Sequence, residues 1–337
     1  MHHRFPLIAA LIVGTASGCT FPNAGAVSGP VSYEPSHSIA PDKRGKVTFY
    51  DDTFGDATPD GIVGGPDNDA WFTDTGNDVV GRVTARGRYT LQQPVGAELS
   101  DGITVGPDKN LWFTLGGGGV GTLNLNGKVT LFKDPAGSAP QGITTGPDGA
   151  LWFAQNGSVG RVTTRGNFKH FTVASADAQL QGIVTGPDGN LWVTQSVVGS
   201  RFSNQVIRVT PKGKHRSYTV GLGPAWICVG PDKALWFAER AANAIGRLTT
   251  AGEYTEYPTN YQGGGPSGIA VGPDRALWFT DFNGRFGIGR VTKSGKMHFY
   301  ASGTMGDELR QIALGPIGMM WFTSYQGVDG IGRIATY

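Results

Sequence analysis

The sequence predicts an all-β fold, a seven-bladed β-propeller of four-stranded antiparallel blades. Three observations predict it. The segment Gly182-Ile183-Val184-Thr185-Gly186-Pro187-Asp188-Gly189-Asn190-Leu191-Trp192-Val193-Thr194 recurs along the chain. Its tryptophan returns as Trp71, Trp112, Trp152, Trp192, Trp236, Trp278 and Trp321, at spacings of 41, 40, 40, 44, 42 and 43 residues. That period holds four short strands and their turns. Glycine is the commonest residue, at 54 of 337, and charged residues make up 16%, a mix that suits tight turns and is too rich in apolar residues for disorder. Finally, the last repeat stops at its third strand, and a strand resembling the missing fourth stands before the first repeat.

The N-terminus reads as a targeting segment. Met1-His2-His3-Arg4 is a short basic start, and Phe5 to Val13 is an apolar run too short for an ordinary membrane span. Small residues from Gly14 to Gly18 then lead to Cys19. This layout predicts a bacterial export signal over residues 1–18. Ala16-Ser17-Gly18-Cys19 resembles a lipobox, with alanine where leucine is usual at 16, and predicts acylation of the Cys19 thiol. The alternative is simple cleavage after Gly18 and a soluble periplasmic or secreted product. Residues 19–42 carry Pro22, Pro30, Pro35 and Pro41 among Ser, Gly and Ala without strand or helix period, and read as a tether. The propeller is expected over residues 43–337, and the membrane is reached only through the lipid.

Within each repeat, strand one begins at Gly-Ile and runs to a Gly-Pro-Asp turn, as at Gly146-Pro147-Asp148, where proline presets φ and the aspartate can bond the backbone ahead. Strand two, as at Leu277 to Thr280, is apolar on both faces, as expected for a strand buried between neighbouring blades. Strand three is Ile288 to Val291 in the sixth repeat, and the alternating, more polar strand four is Lys296 to Tyr300. Residues 46–50 match that fourth strand and are predicted to complete the seventh blade, which removes an exposed sheet edge. The strand-three arginines, such as Arg161 and Arg247, recur with the frame and read as scaffold.

Formal net charge is +2 and no long basic run occurs, which disfavours nucleic acid as a partner. The only cysteines are Cys19 and Cys228. Cys228 lies in an apolar strand and is expected to be a buried thiol. A monomer is expected.

The unit Pro-x-Gly-Ile…Gly-Pro-Asp…Leu-Trp-Phe-Thr…Ile-Gly-Arg-Val-Thr resembles the repeat of the virginiamycin B lyase (streptogramin lyase) family. It is clear in the sixth repeat, at Pro266-Ser267-Gly268-Ile269, Gly272-Pro273-Asp274, Leu277 to Thr280 and Ile288 to Thr292. The resemblance covers residues 46–337 and implies a seven-bladed propeller. It also implies magnesium-assisted opening of a cyclic depsipeptide at its ester bond without hydrolysis, a carbon–oxygen lyase reaction. Essential histidines of that family occupy the x of Pro-x-Gly-Ile in late blades. Here those positions hold Ala225, Ser267 and Arg310. None of the six histidines stands at such a position; His170, His215 and His298 lie in fourth strands at the outer edge.

Antiparallel pairing puts the start of strand one and the end of strand two at one face of the ring. Two positions per repeat are therefore expected around one channel mouth. Before Gly-Ile stand Asp60, Asp101, Gln141, Gln181, Ala225, Ser267 and Arg310; after Leu-Trp-Phe-Thr stand Asp74, Leu115, Gln155, Gln195, Glu239, Asp281 and Ser324. They vary while the frame repeats, the pattern of a site grafted on a scaffold. Gln141, Gln155, Gln181 and Gln195 offer amides to a sugar, peptide or other small polar ligand. Asp60, Asp74 and Asp101 offer oxygens to magnesium or calcium. Arg310 can clamp an anion, Ser267 adds a hydroxyl, and Trp226, in place of the usual glycine, either plugs the mouth or gives a stacking surface. Three functions fit: a ligand-binding propeller, a metal-assisted lyase or hydrolase of cyclic esters using Glu239 or Asp281 as base, or an envelope platform for protein partners.

Overall fold

The computed structural model describes residues 45–51, 57–196, 204–260, 264–282, 287–302, 308–325 and 330–336. The export signal, the tether and Cys19 lie outside the described residues.

The described residues form seven blades of four antiparallel strands. Blade four, for example, comprises Gln179–Thr185, Leu191–Ser196, Gln205–Val209 and His215–Thr219, hydrogen-bonded in that order. Blades six and seven are joined by one further pairing, Phe282 with Glu308. The innermost strands touch in sequence order around the ring, and the seventh (Glu308–Leu314) returns to the first (Pro59–Gly64). The closing strand is Val47–Asp51, paired antiparallel with Gly330–Ile334 from Val47 opposite Ile334 to Asp51 opposite Gly330. It is held by side chains as well: Phe49 meets Phe322 edge-on at 5.5 Å, and Tyr50 stacks on Trp321 at 5.7 Å.

The core lies between blades. Each apolar cluster takes residues from two adjacent blades, as where Trp152 of blade three packs with Leu191 and Val193 of blade four. Blade one meets blade seven in the same way, Phe72 and Val83 against Trp321 and Ile331. All seven repeat tryptophans are fully buried. Strand two is apolar on both faces because each face abuts a different blade.

One close approach explains the glycine of Ile-Gly-Arg. A Cβ on Gly81 would come within 2.1 Å of the Phe72 ring, and the same clash awaits at Gly160, Gly246 and Gly289. Blade four confirms the rule by exchanging both partners: Val193 replaces the phenylalanine and Ile207, directly opposite, replaces the glycine. The space that one ring fills over a glycine elsewhere is shared here by two branched side chains.

The Gly-Pro-Asp turn and the strand-three arginine form one device. In blades one to six the tryptophan indole N–H donates to the turn aspartate at 2.9–3.0 Å, from Trp71 to Asp67 and from Trp278 to Asp274. The arginine pairs with the same aspartate in blades three to six, at 2.6 Å for Arg161 with Asp148 and 2.7 Å for Arg290 with Asp274. Burial raises these carboxyls, but the indole, the arginine and a backbone N–H outweigh it, so Asp148, Asp188, Asp232 and Asp274 sit below their ordinary value. Blade seven has Gly315-Pro316-Ile317-Gly318 instead, and Trp321 turns to the Pro316 carbonyl at 3.4 Å.

Candidate functional site

The mouth is built from a bulge repeated in strand one. Pairing with strand two breaks between Pro59 and Ile62, and at the corresponding places in blades four, five, six and seven. A bulge leaves its residues unpaired and re-aims them. The freed Gly61 N–H donates to the Thr73 hydroxyl at 2.9 Å, and Gly102, Gly182 and Gly268 do likewise with Thr114, Thr194 and Thr280. The Thr280 hydroxyl then donates to the next blade, to the Arg310 carbonyl at 2.6 Å, and the Thr323 hydroxyl, which accepts from the Gln311 N–H at 3.0 Å, donates to the Asp60 carbonyl at 2.7 Å. This belt fixes the residue before each bulge glycine at the channel.

Asp60, Asp101, Gln181, Trp226, Ser267 and Arg310 accordingly line one small cavity of about 30 Å³, together with Arg240 and Gln311. Arg310 approaches Asp60 at 3.3 Å, and Thr75 donates to the other Asp60 oxygen at 2.7 Å. Burial raises the Asp60 carboxyl against the lowering effect of Arg310. Burial and the charge of Asp60 push Asp101 up to about 6, with Arg310 opposing. The Trp226 ring crosses the mouth from blade five toward blade three, where a Cβ on Gly142 would lie 3.2 Å from it. The ring forms part of the wall of the small cavity.

A cavity of about 690 Å³ opens beside the mouth over blades three to five. Gln141, Gln179, Gln181, Asn156, Ser196 and Arg240 supply its polar lining, and Gln181 and Arg240 belong to both cavities.

The second set of expected mouth residues is placed elsewhere. Asp74, Glu239, Asp281 and Ser324 are fully buried, and Leu115, Gln155 and Gln195 nearly so. Strand two stands one strand back from the axis, so its side chains point into the spaces between blades. Asp74 accepts from the backbone N–H groups of Thr58 and Gly76 at 2.9 and 3.1 Å and from the Asn77 amide at 2.9 Å. Asp281 accepts from the Gly265 N–H at 2.9 Å. Glu239 accepts from Gly221 N–H and from the Tyr254 hydroxyl, each at 2.8 Å. Burial pushes Glu239 up to about 7, with Tyr254 opposing and Glu256 reinforcing. Gln155 donates to Asp134 at 2.9 Å, and His170 bridges Asp134 and Gln155 at 2.9 and 3.1 Å. Glu239 and Asp281 therefore accept from backbone N–H groups of the frame, and neither they nor Gln155 and Gln195 line the two cavities.

The structure separates the three aspartates expected to share a metal ion. Asp74 spends its oxygens on a loop, Asp60 is paired with Arg310, and only Asp101 remains. No group of three or more His, Cys, Asp or Glu side chains among the described residues is placed to share a cation. A cationic guanidinium beside two carboxylates does not fit magnesium or calcium.

The residues missed by the sequence argument stand one position further along. Thr75, Asn156, Ser196, Arg240, Phe282 and Tyr325 follow the buried set, and this next position reaches the mouth or its rim. The signal was the period of two along a strand, which carries alternate residues to opposite sides. Gln311, in the bulge position that Trp226 holds in blade five, was legible by the same alignment.

Comparison with known proteins follows this architecture. The profile of the virginiamycin B lyase family matches residues 36–201 and 167–337. The chain belongs to that family. Among solved structures it is similar to a streptogramin B lyase, at 28% identity and TM-score 0.79, covering 87% of this chain and 98% of that one. It is also similar to a catalytically inactive histidine-to-alanine variant of virginiamycin B lyase from Staphylococcus aureus with quinupristin, at 28% identity and TM-score 0.77, covering 87% and 99%. Hydrazine synthase of Kuenenia stuttgartiensis shares the fold at 17% identity and TM-score 0.67, over 83% of this chain and 96% of that one. A search of curated proteins finds no match.

Proposed function

We propose that this propeller binds a small polar molecule or short peptide in the cleft over blades three to five, and does not open streptogramin rings. The observation that carries this reading is the cavity of about 690 Å³ lined by side-chain amides and joined to the mouth through Gln181 and Arg240. Its size is that of a ligand site, and convergent polar groups on a rigid frame give orientation. Loss of one histidine accompanies inactivity in the Staphylococcus aureus relative. The mouth positions of this chain hold Asp, Gln, Ala, Ser and Arg, and no histidine. Incubation with quinupristin, followed by mass spectrometry, should return the intact ring while the Staphylococcus aureus lyase linearises it in parallel. A linear product from this protein would overturn the reading. The variants Gln141→Leu and Gln181→Leu should lose retention of polar ligands in affinity selection.

A second reading, a carbon–oxygen lyase or hydrolase, is favoured by Asp101. Its value of about 6 at the mouth suits a general base near neutrality. Under that reading, activity on a cyclic ester rises with pH through about 6 and is lost in Asp101→Asn.

The N-terminal sequence supports export and a lipid anchor on Cys19. Labelled palmitate should enter the full-length chain and not the Cys19→Ser variant.

A further inference from the structure

We infer that the mouth is a carboxylate-binding site, built by Arg240, Arg310, Ser267 and Gln311, and that the ligand is a short peptide held by its free C-terminus. The inference rests on the ligand-binding reading above and names the ligand class.

The first support is a surplus of donors. Arg240 has no acidic partner within salt-bridge distance among the described residues; its guanidinium lies on the face of Phe282, 3.4 Å from the ring centroid. Burial and the neighbouring Arg310 charge hold Arg240 below its ordinary value, with Glu308 opposing, the state of a cation short of a counter-charge. Arg310 is spread over Asp60 at 3.3 Å and Glu308 at 3.8 Å. Its Nε and the Gln311 Nε2 are buried and have no acceptor. Ser267, 5% exposed and facing the same cavity, makes no hydrogen bond to any described residue. Buried donors without acceptors are costly and rare. Arg310 Nε and Gln311 Nε2 are two such donors among the described residues, and the more exposed Arg240 guanidinium and the Ser267 hydroxyl add two groups without a hydrogen-bonded partner at the same cavity, a set that suits an anionic acceptor.

The second support is rigidity. Arg310 packs over Phe282 and Tyr325, at 5.6 and 5.1 Å to the centroids. Aromatic faces hold guanidinium forks in place and leave their edges free for bidentate hydrogen bonds to a carboxylate.

The third support is size and charge. The small cavity holds about 30 Å³, room for a compact head group, and shares Gln181 and Arg240 with the larger one, which Gln141, Gln179 and Asn156 also line. Amide side chains both donate and accept, which matches successive peptide groups. Asp60 and Asp101 share the small cavity and oppose a dianion such as sulfate, while a single carboxylate is tolerated. The groups facing Asp101 there are Asp60, Arg240 and Arg310. Protonation of Asp101 removes a negative charge from the wall, so the anion binds more tightly below about pH 6 than above it.

The test is affinity selection with the full chain at pH 5.5, using a random tetrapeptide library with free C-termini and the same library amidated, read by mass spectrometry. Free acids should be retained at least tenfold over amides, and Arg240→Gln should abolish that preference. Ser267→Ala, which leaves every ion pair intact, should weaken retention of the acids alone; unchanged melting temperatures exclude unfolding as the cause. Equal retention of acids and amides overturns the carboxylate site and leaves the ligand cleft standing. Retention of neither overturns both. Competition by sulfate, a dianion at this pH, at lower concentration than acetate overturns the choice of a monoanion.

Discussion

The two ends of the blades use the same acids to opposite effect. At the turn end, Asp148, Asp188, Asp232 and Asp274 meet an indole, a guanidinium and a backbone N–H, and sit below their ordinary value. At the mouth end and in the spaces beneath it, Asp60, Asp101 and Glu239 are raised, because burial outruns the partners supplied. The difference is one of hydrogen-bond supply rather than residue type. The frame repeats its donors with its acceptors, whereas Asp60 and Asp101 at the mouth and Glu239 between the blades receive fewer donors than their burial requires.

The comparison can be broken most severely at the closure. Deleting residues 43–52 removes the strand that completes blade seven and should abolish cooperative unfolding; near-UV circular dichroism on heating is the measurement, and a melt like that of the parent would contradict the closure. Next, Asp274→Ala strips Trp278 and Arg290 of their acceptor. A cost of about 2–3 kcal/mol is expected in urea unfolding, from two donors left unmet.

Acidity separates the two ends further. Asp274, below 3.8 in the fold, contributes stability that is present above 3.8 and lost as pH falls through its folded value. Glu239, raised from 4.5 to about 7, works in the other direction: the folded state binds its proton more tightly. Its contribution is whole below 4.5 and declines as pH rises toward 7. The melting temperature should therefore fall between pH 5 and pH 7.5. Glu239→Gln, which keeps an acceptor for Gly221 and Tyr254, should flatten that fall and melt a few degrees higher at pH 7.5.

The smallest effects sharpen the distinction between two glutamines of similar sequence context. Gln155, bonded to Asp134 and the Ser138 carbonyl in a buried network, should cost about 2 kcal/mol on truncation to alanine. Gln181, at the cavity wall, should change stability by less than about 0.5 kcal/mol while removing ligand retention.

The repeat made the fold legible. Seven tryptophans marked seven blades, and Lys46 to Tyr50 foretold the closing strand, found at Val47–Asp51. The placement of Asp60, Asp101, Gln181, Ser267 and Arg310 around one cavity was legible too, because a position that varies within a fixed frame stands out. The residues from Asp74 to Ser324 end strands that reach the mouth, yet their side chains face the spaces between blades, because a strand reverses direction at every step. Arg240 and Phe282 were hidden by that same step.

The sequence by itself determined the number of blades, their strand order, the ring closure and which residues belong to the frame. These follow from periodicity and local pairing, which a linear string records directly. Tertiary structure alone decided which acids face the channel, how Trp226 lies across it and why Arg310 is shared between Asp60 and Glu308. Those depend on how far each strand stands from the axis and on partners hundreds of residues away, and neither distance is written in a repeat.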